Sequence, residues 1–148
     1  MVEMTREAQK FFDNNVPFHG ALRSEKGDLR PLLHDAITRN AVAPSELEAL
    51  GNLVKTAINA RGAVTPRMAY GIDAALEHLN AKRVPQALAE LKSAFFWSDP
   101  NNIHRLQAHL HNRGIKVKIG KEFLSATAHV LSGELDGKKV VLKIIPEF

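Results

Sequence analysis

The chain has 148 residues, about one ordinary domain with room for one hydrophobic core. Its 45% apolar and 24% charged residues are ordinary globular usage and exclude wholesale disorder, and its lack of cysteine excludes disulfides and thiolate metal sites. The net charge is +4; the opening Met1-Val2-Glu3-Met4-Thr5-Arg6-Glu7 lacks the apolar run of a signal peptide, and no stretch approaches the ~18 continuous apolar residues of a membrane span.

Helix signals then follow in succession. Thr5 is placed to cap a short helix through Phe11 and Phe12, closed by Asp13-Asn14-Asn15, and Val16-Pro17-Phe18-His19-Gly20 reads as an irregular link. Between Ser24 and Asn40, Leu29, Leu32, Leu33, Ala36 and Ile37 form a stripe at helical spacing. Pro31 near its front predicts a start close to Asp28. Pro44-Ser45-Glu46 opens a helix with Leu47, Leu50, Val54 and Ile58 on its buried face and Gly62 as its stop. Thr65-Pro66 is a cap followed by proline at the first helical position, and Met68, Ile72, Ala75, Leu76 and Leu79 follow it. Val84-Pro85 starts another helix with Leu88, Leu91 and Phe95 inward. Ser98-Asp99-Pro100 repeats the cap-plus-proline pattern before Ile103, Leu106 and Leu110, with Gly114 as the stop.

After Gly114 the period changes to two. Ile115-Lys116-Val117-Lys118-Ile119 alternates apolar and basic residues, a half-buried strand. His129–Leu135 and Lys138–Ile145 are two more strands, and Asp136-Gly137 between them is a two-residue hairpin turn. The expectation is an α+β fold. About six helices occupy residues 1–113, and a three-stranded antiparallel sheet occupies 114–148. The sheet's apolar face (Ile115, Val117, Ile119 and part of 140–145) needs a cover, and the last strand is a hydrophobic edge that invites association. From Asn112 to Phe148, seven lysines and arginines stand against four acidic residues. They mostly alternate with apolar residues, as the solvated face of a sheet does.

Few residues read as chemistry. His104, His109 and His111 lie close together, but their spacings of five and two do not match the four-residue spacing of a helical metal pair, so no metal site is expected. No serine sits in a nucleophile elbow, and there is no thiol nucleophile. The aromatic cluster Phe95-Phe96-Trp97 offers Trp97 and Phe96 as partner anchors, or as the cover of a helix corner.

Ile119-Gly120-Lys121-Glu122-Phe123-Leu124-Ser125-Ala126-Thr127-Ala128-His129-Val130, followed after Asp136-Gly137 by Val140-Val141-Leu142-Lys143, resembles the opening strands of the protein-kinase N-lobe. The resemblance covers roughly residues 115–145. It implies that Gly120 is the first glycine of a phosphate-covering loop and that Lys143 is the phosphate-contacting lysine, the two cofactor-binding candidates. Glu122 and Ser125 stand about where the second and third loop glycines belong. The catalytic-loop and magnesium-binding segments of that family are not in this sequence, so kinase activity is not expected of this chain.

The first functional expectation is therefore a non-enzymatic protein-interaction or regulatory domain without a cofactor. It would act through its helical face or sheet edge, with homodimerisation through that edge a further option. The alternative is the N-terminal part of a bacterial effector-like kinase, inactive by itself. The third is a nucleic-acid-binding module that uses the basic tail. The expected setting is the cytoplasm, with secretion as an effector without a cleavable signal peptide as the variant.

Overall fold

The computed structural model describes residues 4–145 except 18, 124, 126 and 127. Phe18 of the expected link, and Leu124, Ala126 and Thr127 of the expected loop, lie outside the described residues.

Among the described residues, six α-helices precede a three-stranded antiparallel sheet, as expected for an α+β fold. They are α1 (Arg6–Asn15), α2 (Leu29–Thr38), α3 (Pro44–Arg61), α4 (Pro66–Asn80), α5 (Val84–Phe96) and α6 (Pro100–Asn112). Their starts follow from capping chemistry. Thr5, Asp28, Thr65 and Asp99 each accept a hydrogen bond from an otherwise unpaired amide of the first turn. Pro44, Pro66, Pro85 and Pro100 occupy first-turn positions where the missing N–H costs nothing. Gly62 closes α3 in the left-handed conformation, φ 79°.

Before α2 the chain makes a small hairpin, β1 (Arg23–Ser24) with β2 (Gly27–Asp28), which the sequence reading did not anticipate. It is too short to show a two-residue period. It is held from outside by the Ser24 hydroxyl, which donates to Asp73 Oδ1 on α4 at 2.5 Å.

The main core is built by the helices and the links between them. Phe12, Leu29, Leu33, Leu47, Val54, Met68, Leu91 and Phe95 are fully buried in it, each worth roughly 1.5–3 kcal/mol of apolar burial. Its tightest joint is α4 against α5, where a Cβ on Gly71 would lie 2.5 Å from the Ala94 Cβ. No helix among the described residues is long and apolar enough to cross a membrane.

The sheet has the order β3-β4-β5, with β3 at Val117–Phe123, β4 at His129–Leu135 and β5 at Lys138–Ile144. Asp136 and Gly137, with φ of 53° and 77°, make the two-residue turn between β4 and β5. The first strand differs from expectation. It begins at Val117 and runs through a bulge between Ile119 and Glu122 to Phe123. The Ile115 N–H still bonds to Leu110 O of α6, so Ile115 belongs to the helix exit, and it is exposed rather than part of the apolar face. None of the three strands contributes to the main core; Val117, Ala128 and Leu131 are buried outside it.

The α4–α5 joint makes a stability prediction. Gly71→Val should cost about 1–3 kcal/mol by overpacking, measured by chemical denaturation, and adding Ala94→Gly should recover part of that loss. A purely additive double variant would show that the two positions do not share the same space.

Candidate functional site

The sheet has two faces. Val117, Ile119 and Glu122 on β3, His129 and Leu131 on β4, and Val140, Leu142 and Ile144 on β5 share the face turned toward the helices. Lys118, Gly120, Phe123, Val130, Ser132, Glu134, Lys139, Val141 and Lys143 share the outer face. On that face Phe123 is 45% exposed and Val141 67%. An open concavity of about 630 Å³ lies there, lined among others by Lys118, Gly120, Phe123, Lys139 and Val141.

The two edges of the sheet are treated differently. Along β3, the Ile119 N–H donates to Gln107 Oε1, and His111 Nε2 donates to Val117 O, both at 2.6 Å. Gln107 and His111 are four residues apart on α6 and so share a face. They occupy two of the backbone groups that a further strand would need. Along β5, no strand pairs on the side away from β4 among the described residues. Val140, Leu142 and Ile144 on its inner side are only half-buried.

A polar junction joins the sheet to the helices. Arg61, the last residue of α3, donates from Nε to Ser98 O and from Nη2 to Glu122 Oε2, both at 2.5 Å. Two open clefts flank this ion pair, one of about 220 Å³ toward α6 and one of about 460 Å³ toward the start of α4. His129 is buried and donates from Nε2 to Ser93 O of α5 at 3.2 Å, which fixes the proton on Nε2 in the neutral ring. Its Nδ1 has no hydrogen-bond partner among the described residues and faces Glu122 Oε1 at 3.7 Å. Arg67 of α4 is 4% exposed, and none of its guanidinium nitrogens has a hydrogen-bond partner among the described residues. Glu90 is its compensating charge, and the Tyr70 ring centroid lies 5.9 Å from its guanidinium carbon. Burial pulls the Arg67 guanidinium below the usual arginine range, against the attraction of Glu90. Burial, reinforced by the charge of Arg67, pulls the His129 imidazole below the usual histidine range, against Glu122.

The residues singled out from sequence are dispersed. Gly120 lies in β3 next to the bulge, where a Cβ would fall 2.9 Å from the Ser132 hydroxyl, to which the neighbouring Lys121 N–H donates. The Ser132 contact alone accounts for a glycine at this point. Lys143 stands on the outer face opposite Val130, exposed, with no ion pair among the described residues. Glu122 points to the helical side and binds Arg61, away from the face that carries Lys143. Trp97 caps α5 half-buried, with the exposed Phe96 ring edge-on to it at 4.8 Å. His104 and His109 are exposed on α6, and His111 is the strand-edge donor. Lys118 and Lys139 flank Glu134 across the sheet, so the basic residues do not form a continuous cationic stripe. Sequence reasoning missed Arg61, Arg67, Glu90, Glu122 in its ion-pair role, and His129. Their partners come from five different elements, and no local pattern marks them.

Two predictions test the junction. Arg67→Met should leave stability unchanged or raise it, because it replaces a buried, poorly satisfied cation with an apolar chain. Glu90→Gln should lower stability by about 1–3 kcal/mol, because it strands that cation; denaturant midpoints read both. For His129, the unfolded chain binds the proton more readily than the folded one, so its contribution is present above the unfolded histidine value near 6.5 and is lost as pH falls. Stability should drop below about pH 6.5 with a His129 share of at most about 1.4 kcal/mol per pH unit. That share should vanish in His129→Asn, as measured by unfolding at pH values on either side.

No protein-family model, no curated protein and no solved structure matches this chain.

Proposed function

We propose that this chain is a non-enzymatic protein-interaction domain of the cytoplasm that receives an extended segment of a partner along β5. The observation that carries this reading is the asymmetry of the sheet. Side chains of α6 occupy two backbone groups of β3, whereas β5 is left unpaired among the described residues, with half-buried apolar residues on one side and the exposed Val141 on the other. A strand added there would satisfy the free backbone groups and cover apolar surface at the same time.

The kinase-like reading keeps one favourable observation, the placement of Gly120 and Lys143 on the same outer face. Magnesium–ATP titration followed by amide chemical shifts decides it. Shifts confined to β3 and β5 support a nucleotide-facing surface, and an unchanged spectrum ends that reading.

The strand-docking reading predicts a position-specific contact. A photo-crosslinking phenylalanine at Val141 should capture a discrete protein in the native cell extract. The same probe at the exposed Thr56 of α3 should not. Unlabelled wild-type chain should compete the adduct away, and chain carrying Val141→Glu should compete poorly. Equal capture from both positions, or none at Val141, would overturn the reading.

A further inference from the structure

The rows of side chains across the outer face constrain the chemistry of the strand that would extend them. Lys118 pairs with Glu134, and Glu134 with Lys139, so one row runs positive, negative, positive and ends at the open edge. In the next row Ser132 lies beside Val141, which is among the most exposed large apolar residues of the chain. In the third row Phe123 and Val130 lead to Lys143. Cross-strand neighbours of opposite charge stabilise a sheet and like charges destabilise it, so the row ends ask for an acid, an apolar residue and an acid. On the inner face the half-buried Val140 and Leu142 ask for apolar neighbours.

Resting on the strand-docking reading, we infer that the segment β5 receives has acidic residues flanking an apolar one on its outer face, with apolar residues at the alternate, inward positions. A second copy of this chain fits poorly. Two-fold antiparallel pairing of β5 centred on Val141 would set Lys139 opposite Lys143 of the other copy at both ends. Lysines on an edge strand also guard against self-pairing. That role is served by charge of either sign, whereas the alternating row makes the sign matter.

The probe is the peptide acetyl-Thr-Glu-Val-Ile-Val-Glu-Thr-amide, which reads alike in both directions and so serves either strand orientation. Its controls carry lysine or glutamine at both glutamate positions. With the full chain and millimolar peptide, the glutamate form should bind at least tenfold more tightly than the lysine form by isothermal titration calorimetry. It should also slow amide exchange in β5 without changing β3. In the double variant Lys139→Glu, Lys143→Glu, at exposed positions, the preference should reverse. If the glutamine peptide binds as well as the glutamate peptide, or the preference does not reverse, the inference is overturned, while slowed exchange in β5 leaves strand docking standing. If no peptide slows β5 exchange but Val141 still crosslinks specifically, the partner chemistry is wrong and docking stands. Exchange in β5 that slows with protein concentration alone identifies a second copy as the occupant and overturns the inference.

Discussion

A three-stranded sheet has two open edges, and this fold has one helix beside it. Every backbone N–H and C=O along a strand needs a partner, and an edge strand presents half of its groups outward. Helix α6 meets that demand for β3 with two side chains, Gln107 and His111, one turn apart. That placement follows from the Asp99-Pro100 start of α6 and its exit through Gly114 directly into the strand. Because α6 is committed to β3, it leaves the far edge along β5 without such side-chain partners. Val140, Leu142 and Ile144 face the helices but are only half-buried, and Val141 is exposed on the outer face.

The way the sheet attaches to the helices is equally telling. The main apolar cluster contains residues from the helices and their links and none from β3, β4 or β5. At this junction lie a partly exposed ion pair, a buried histidine and a guanidinium without hydrogen bonds among the described residues. The two buried groups add little net stability, and removing a partner of either leaves a buried polar group unpaired. Arg61 grips both the α5–α6 corner at Ser98 and the β3 bulge at Glu122, and so ties the sheet to that corner. Its local stability is expected to lie below that of the bundle, since its strands share no part of the large core.

The helices and the second hairpin were legible in the sequence because their determinants are local. Thr65-Pro66 and Asp99-Pro100 carry their caps within three residues, and Asp136-Gly137 carries its turn in two. The first strand was misplaced for a physical reason. Ile115 continues the alternation of Val117 and Ile119, yet its N–H is still drawn to Leu110 O by the helix exit at Gly114. The bulge at Gly120 was invisible because the group that meets it, the Ser132 hydroxyl, is on another strand. The polar junction was hidden more deeply. Arg67 sits beside the apolar stripe of α4, and His129 sits at the start of an ordinary strand. Only the fold brings them to Glu90, Ser93 and Glu122.

The proposed kinase-like reading and the proposed reading as a strand-receiving edge both make demands on β5. In the first, Lys143 needs an anionic ligand and a carboxylate partner on the outer face. In the second, it needs an acid on the neighbouring strand. Both require negative charge brought to a lysine that has no ion pair among the described residues, in a row whose other members, Phe123 and Val130, are apolar. The difference lies in direction. A nucleotide would approach perpendicular to the sheet, over the concavity that contains Gly120 and Phe123. A strand would approach in the plane of the sheet, where the free backbone groups of β5 point. Backbone that is unpaired among the described residues and open to water is a template that a ligand over the face leaves unused and that a strand at the edge pairs directly. That is the physical ground for preferring the edge.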